Sequence, residues 1–351
     1  MTFSAHLLTR QPLPSRHFLA ILYSQVKIKE CVVMSKLKSI GIDIGGGTAK
    51  GGLVDLEGNI IGDKIVITTK GVSEESIGQG LVGMVKGLEG RVGGDDKILG
   101  VGLCAPGKVN NETGVIEYGG PNLPFNNFNV RKLITGQTGY KVEIVNDGYA
   151  TARGELKYGA AKEFKKSVVI APGTGTAVTE IDNGVIKGTE FGHMTLVMDG
   201  EPCNCTNNKD APNRGCAEQY TSTSALKRIT REAMQQNPNS LMWMHCEGDL
   251  EKVSGRTSFD CAAQGDKVAQ QVIDTWTKYL GHLANSAANA YKAEGIVLAG
   301  AVLKERERIS VPVQNVVNKI AYGGIPPKVK HAKFPGDSAL IGAAAADFER
   351  E

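Results

Sequence analysis

Twice in this chain a β-rich run breaks at a cluster of glycines and then resumes. The first instance is Ser39-Ile40-Gly41-Ile42-Asp43-Ile44, closed by Gly45-Gly46-Gly47-Thr48 and resumed at Gly51-Gly52-Leu53-Val54-Asp55. The second is Ser167–Ala171, then Pro172-Gly173-Thr174-Gly175-Thr176, then Ala177–Ile181. A glycine turn reverses the chain with no Cβ in the way, and its backbone N–H groups can donate to phosphate oxygens. Helical patterns follow each turn, so the repetition predicts two related α/β lobes; its period is too long for a solenoid. It also accounts for part of a glycine excess, 44 of 351 residues, in a residue that weakens helix and strand interiors.

Further strands are expected at Leu99–Leu103, Val142–Val145 and Ile296–Ala299, with a hairpin turn at Asp182-Asn183-Gly184. Helices are expected over about Ser73–Leu88, Asn129–Gly139, Gly148–Lys157, Cys216–Ala233 and Asp266–Ala293. A net charge of +3 offers no electrostatic case for nucleic acid or anionic lipid. No apolar run reaches the ~18–20 residues that span a bilayer. Residues 1–37 stand apart as an amino-terminal extension; within 1–33, Arg10, Arg16, Lys27 and Lys29 stand against the single acid Glu30. That basic, acid-poor stretch reads either as a poorly ordered extension, with Met34 as the effective start, or as an organelle-targeting segment. Otherwise a reducing, cytoplasmic setting is expected, because the seven cysteines are odd in number and clustered rather than spread as a disulfide framework.

Three groups of residues carry chemistry. In the first turn, Asp43 lies beside Gly45, Gly46, Gly47 and Thr48, where a carboxylate can hold Mg²⁺ directly or through water, and Lys50 can reach a phosphate. The second turn, Gly173-Thr174-Gly175-Thr176, adds two hydroxyls. Either turn alone also fits an ordinary tight hairpin; one in each half points to a nucleotide cleft between lobes. Next, His193 precedes Cys203, Cys205 and Cys216, one imidazole and three thiolates, the composition of a closed tetrahedral zinc site that would order a polar loop. The alternative is four independent loop residues. Finally, Asn146-Asp147 follows a buried strand and precedes a helix, so Asp147 is either a base at the carboxyl end of a strand or a helix N-cap.

Taken in order, these stretches resemble the ROK family of sugar kinases in the actin-like ATPase superfamily. The resemblance rests on Gly41-Ile42-Asp43-Ile44-Gly45-Gly46, Ala105-Pro106-Gly107, Pro121-Asn122-Leu123-Pro124, Asn146-Asp147 and Gly173-Thr174-Gly175. It continues through Glu190-x-Gly192-His193, Cys203-x-Cys205 with Asn213-Arg214-Gly215-Cys216-Ala217-Glu218, and Leu340-Ile341-Gly342-Ala343. It implies a two-lobed, ribonuclease H-like α/β fold with ATP between the lobes, and γ-phosphoryl transfer to a hexose hydroxyl, usually the 6-hydroxyl. Asp147 falls on the catalytic-base position. Asn122, Asn146, Glu190, His193 and Glu218 fall on sugar-binding positions, His193 shares the zinc-ligand role with Cys203, Cys205 and Cys216, and Gly300 lies near the adenine. The lobes would be residues 38–157 and 158–337, with the zinc block at 190–218 and a helix at 338–351 packing back on the first lobe. A homodimer is implied.

The chain departs from the family pattern in three places. Gly47 stands where threonine is usual and Thr48 follows it, while Lys50 is nearer the polyphosphate-using branch. Thr206–Pro212 holds an insertion, expected to bulge outward and spare the zinc set. Gly300-Ala301 replaces a glycine pair. Glucose is the leading acceptor, with N-acetylmannosamine, N-acetylglucosamine or fructose as alternatives. The family also contains sugar-responsive repressors, but no helix–turn–helix pattern precedes Asp43.

Overall fold

The computed structural model describes residues 37–120, 122–203, 205 and 212–348. The expectations for the amino-terminal extension, for Pro121 and for the bulge at 206–211 lie outside these residues, except that Leu37 already opens the first strand.

Two five-stranded sheets of matching topology organise the chain. In the first, β1 (Leu37–Ile44), β2 (Thr48–Asp55) and β3 (Ile60–Thr68) form an antiparallel meander, and β4 (Lys97–Ala105) and β8 (Val142–Asn146) extend it in parallel from β1, in the order β3-β2-β1-β4-β8. The insert β5 (Lys108–Asn110), β6 (Val115–Tyr118) and β7 (Asn126–Asn129) forms a small separate sheet. The second large sheet repeats the plan. β9 (Lys166–Pro172), β10 (Thr176–Asp182) and β11 (Val185–Thr189) are antiparallel, β14 (Gly295–Leu298) and β15 (Lys328–His331) are parallel to β9, and the order is β11-β10-β9-β14-β15. The strand pair β12 (Pro202–Cys203) and β13 (Asn213–Arg214) belongs to the cysteine block.

Local signals set most helix ends. Helix α1 (Glu74–Glu89) starts where the Ser73 hydroxyl accepts from the Ser76 N–H, and Ile77, Leu81, Met84, Val85 and Leu88 form its buried stripe. Burying each such side chain contributes about 1.5–3 kcal/mol. Helix α2 (Val130–Thr138) is capped by Asn129 and stopped by Gly139 in the left-handed region, φ 76°. Helix α3 (Asp147–Tyr158) follows β8. The expected helix over Cys216–Ala233 is broken. A short turn α4 (Glu218–Thr221) ends at Ser222, which is extended at ψ 165° and caps a new helix α5 (Thr223–Gln236) by accepting from the Ala225 N–H. Helices α6 (Leu241–His245) and α7 (Thr257–Ala262) lead to α8 (Lys267–Tyr291), capped by Asp266 and centred on the fully buried Trp276. Helix α9 (Glu307–Ile320) precedes β15.

The last helix, α10 (Ser338–Ala344), is shorter than the sequence suggests: residues 345–348 leave it, and 349–351 lie outside the described residues. It packs on β1, β4 and α3 at backbone-contact range. A Cβ on Gly342 would run into the Ala150 carbonyl of α3, and one on Gly154 would meet the Ser338 carbonyl. Helix α3 also touches the second sheet, since Gly148 lies against Ala177 and Thr179 of β10 and Ala152 packs with Val169, Ile181 and Val297. The start of α3 is therefore held by both sheets.

Candidate active site

Parallel pairing aligns the carboxyl ends of β1, β4 and β8. Asp43 is opposite Cys104, and Ala105 is opposite Asn146, so Asp43 and Asp147 emerge on one edge of the first sheet. Ligands of α/β proteins collect at such an edge. Asn146, not Asp147, is the N-cap of α3: its side chain accepts from the Gly148 N–H at 2.9 Å while its own amide donates to the Gly107 carbonyl at 3.2 Å. The N-cap alternative for Asp147 is thereby overturned. Asp147 Oδ1 also accepts from Gly148 N–H, at 2.8 Å. Burial, and after it the negative charge of Asp43, push the Asp147 carboxyl up to about 6. Burial likewise raises Asp43, opposed by the charge of Lys50, its cross-strand partner on β2.

Two neighbours of Asp43 escape a reading of the sequence. The Cys104 thiol, fully buried, donates to Asp43 Oδ1 at 3.7 Å; burial and then the Asp43 charge raise its pKa well above the usual thiol range, so it stays protonated. Strand alternation alone would put Cys104 in the core; only the β1–β4 register puts it beside Asp43. Asp337 adds a second negative charge near Asp43 and is paired with Lys64 at 2.6 Å. The loop bearing it is fixed by Glu155 of α3, a fully buried carboxylate that accepts from the Lys333 and Phe334 N–H groups and the Ser338 hydroxyl.

The first glycine turn is closed by Gly45 N–H to the Thr48 carbonyl at 3.0 Å and by Thr69, whose hydroxyl donates to the Gly45 carbonyl at 2.7 Å. Gly47 and Thr48 are exposed. A Cβ on Gly46 would sit 2.7 Å from Asn122 Cβ, so the turn and the exposed Asn122 are brought together across 76 positions of chain. In the second turn Gly173 N–H donates to the Gly175 carbonyl at 2.8 Å, and Gly173 and Thr174 are exposed. Gly300, at φ 107°, abuts the Pro172 carbonyl next to this turn. Thr176 is different. It is buried, its N–H donates to Glu218 Oε2 at 3.1 Å, and its hydroxyl bonds Thr221. Its donors brace the turn from behind.

On this side Glu218 bonds Thr176, and the turn that carries Glu190 and His193 passes against Thr176 at Gly192. A Cβ on Gly192 would collide with the Thr176 carbonyl, and one on Gly175 with the Glu218 carboxylate. The Glu190 side chain is 93% exposed and 3.9 Å from His193 Nε2. Asn122 and Asn146 stand at the first sheet, and Glu190, His193 and Glu218 at the second; the contact of Gly148 with Ala177 is what brings Asp147 toward the latter group.

His193, Cys203, Cys205 and Cys216 form one cluster, their ligand atoms all within 4.8 Å of one another. His193 Nδ1 is buried with no hydrogen-bond partner. Cys205 Sγ and Cys216 Sγ are 3.6 Å apart, close to the edge of about 3.8 Å that a tetrahedron with Zn–S bonds of about 2.3 Å requires. Asn213 Nδ2 donates to Cys216 Sγ at 3.1 Å and to Cys205 Sγ at 3.6 Å, the kind of outer contact that orients thiolate ligands. Burial raises the Cys203 and Cys216 thiols. The residues fit a structural zinc ion. No helix among the described residues is long and apolar enough to cross a membrane.

Comparison with known proteins gives one consistent picture. The model of the ROK family matches residues 39–347. A glucokinase of Thermotoga maritima is 28% identical over 326 residues, covering 90% of this chain and 99% of that protein. A xylose repressor of Bacillus spizizenii is 26% identical over 81% of this chain and 69% of its own length. The crystal structure of a ROK family glucokinase from Streptomyces griseus, in complex with glucose and AMPPNP, superposes with a TM-score of 0.78 at 26% identity, covering 88% of this chain and 98% of that one. The chain has the two-lobed actin-like ATPase fold.

Proposed function

The chain belongs to the ROK family, and we propose that it is an ATP-dependent sugar kinase whose catalytic base is Asp147. The observation that carries this is the placement of Asp147 and Asp43 on one sheet edge, with Asp147 raised to about 6. A base with that pKa is ionised at neutral pH yet close enough to it to accept a proton efficiently. Asp147 takes the proton of the sugar hydroxyl as its oxygen attacks the γ-phosphorus of ATP, and the bond from that phosphorus to the β,γ-bridging oxygen breaks, releasing ADP. Phosphoryl transfer asks mainly for positioning and charge neutralisation. Asn122, Asn146, Glu190, His193 and Glu218 would bind the sugar hydroxyls. Gly45, Gly46, Gly47, Thr48 and Lys50 would receive the phosphates, together with Gly173, Thr174 and Gly175, with Thr176 bracing that turn from behind, and Gly300 would adjoin the nucleotide base.

Two ions belong to this reading. The charge of Asp43 helps raise Asp147, and Asp43 is the residue suited to hold Mg²⁺, which supplies charge neutralisation at the phosphates. His193, Cys203, Cys205 and Cys216 would hold zinc as a closed structural centre that fixes the imidazole of His193 and the backbone leading to Glu218. Glucose is the first acceptor to test, followed by N-acetylmannosamine, N-acetylglucosamine and fructose; a cytoplasmic homodimer accompanies the reading. The test is an ADP-release assay across these sugars, with ATP and polyphosphate as donors. Turnover of one sugar with ATP, lost in Asp147→Asn, supports the proposal. An absence of turnover with every sugar and donor, despite sugar binding, would favour the repressor-like reading that the Bacillus relative suggests.

A further inference from the structure

We infer that the segment from Cys216 to Ser224 clamps the second glycine turn, making Thr221 and Ser224 positioning residues for the phosphoryl donor and coupling the metal centre to nucleotide affinity. The inference rests on the reading of Gly173–Thr176 as a donor-phosphate site.

Three peptide groups of the turn are held by this one segment, and the Gly173 N–H closes the turn on the Gly175 carbonyl. Thr223 N–H donates to the Gly173 carbonyl at 2.8 Å, and the Ser224 hydroxyl donates to the Thr174 carbonyl at 2.8 Å. Glu218 accepts from the Thr176 N–H at 3.1 Å. The hydroxyls of Thr176 and Thr221 are 3.0 Å apart and buried, and Thr221 donates its own proton to the Ala217 carbonyl at 2.8 Å. Thr221 therefore accepts from Thr176, and the relay runs in one direction, from the turn into the backbone that follows Cys216. With the Gly173 and Thr174 carbonyls and the Thr176 amide engaged from behind, the turn keeps the shape in which the Thr174 and Gly175 amides remain for a ligand.

The clamp is stiff at both ends. Ser222 breaks the helix between α4 and α5, which is what frees the Thr223 N–H for Gly173, and its carbonyl accepts from Trp276 Nε1 at 3.1 Å, tying the break to α8. At the other end stands Cys216, bridged to Thr195 and set among the metal-ligating side chains. A shift of Cys216 on losing a metal would pass through Ala217, the Thr221 hydroxyl and Glu218 to Thr176.

The test is calorimetric binding of ADP and, separately, of glucose to the full chain. The forms compared are the zinc-loaded protein, chelator-stripped protein, and zinc-loaded Thr221→Val, Thr221→Ser and Ser224→Ala, with zinc content measured for each. Thr221→Val and Ser224→Ala should each weaken ADP by roughly five- to tenfold, the worth of one lost hydrogen bond. Glucose affinity and zinc content should stay within about twofold of wild type, and Thr221→Ser should restore ADP binding. Stripped protein should lose ADP affinity by at least as much. ADP affinity unchanged in Ser224→Ala and in the stripped protein would overturn the clamp, whether or not Thr221→Val folds. A wild-type protein that binds glucose but not ADP would instead overturn the donor-site reading on which the clamp depends.

Discussion

Replacing Asp147 by asparagine should move activity and stability in opposite directions. Burial and the Asp43 charge raise the carboxyl from 3.8 to about 6. The unfolded chain gives up this proton near 3.8 while the folded chain keeps it to about 6. The fold therefore loses stability as the pH climbs through that window, and the loss is constant above it. At 1.36 kcal/mol per pH unit the ionised carboxylate costs about 3 kcal/mol. Asparagine is neutral, has the same shape and retains an oxygen for the Gly148 N–H bond. Urea unfolding without added Mg²⁺ should find the variant about 2–3 kcal/mol more stable at pH 8, and by less than about 1 kcal/mol at pH 4, which lies just above the unfolded carboxyl's own pKa, where most of the loss has yet to develop. ADP release with ATP and the preferred sugar should fall by at least about a hundredfold. Equal stability at pH 8, or a gain as large at pH 4, would refute the electrostatic account; retained turnover would refute the assignment of the base.

Further outcomes follow from the same geometry. The kcat/KM of the wild type should show an acid limb near pH 6 and fall about tenfold per unit below it; a flat profile between pH 5 and 7 would contradict a single raised carboxylate. Elemental analysis should find about one zinc per chain, reduced in Cys205→Ser along with the thermal midpoint; equal zinc in both would remove Cys205 from the ligand set. Gly342→Ala should destabilise the fold by about 1–3 kcal/mol in urea, because the new methyl meets the Ala150 carbonyl and backbone cannot yield as a side chain can. Gly175→Ala should raise the KM for ATP by driving the new Cβ into the Glu218 carboxylate; an unchanged KM would detach this turn from the donor.

Much of the architecture is written in short stretches of sequence. The meander around Gly45–Gly47, its repeat around Gly173–Gly175, the starts of α1, α2 and α8 at Ser73, Asn129 and Asp266, and the I′-like turn at Asn183-Gly184 each depend on residues within a few positions of one another. The helix expected across Cys216–Ala233 fails for a non-local reason. Ser222 is extended because the Thr223 N–H is drawn to Gly173 and the Ser222 carbonyl to Trp276, partners at 50 and 54 positions' distance. Local helical preference, a few tenths of a kcal/mol per residue, does not outweigh those bonds.

The sequence by itself determined the residue types at the site: the carboxylates Asp43 and Asp147, the two glycine turns, and a Cys₃His set. All of these are chemical identities that hold in any conformation. Tertiary structure decided what each one faces. The register of β1 on β4 puts the Cys104 thiol against Asp43, Asn146 rather than Asp147 takes the helix cap, and Thr176 is turned from a phosphate donor into a brace by Glu218 and Thr221. Those outcomes come from strand register and buried hydrogen bonds between distant segments, and both are fixed only when the whole core closes.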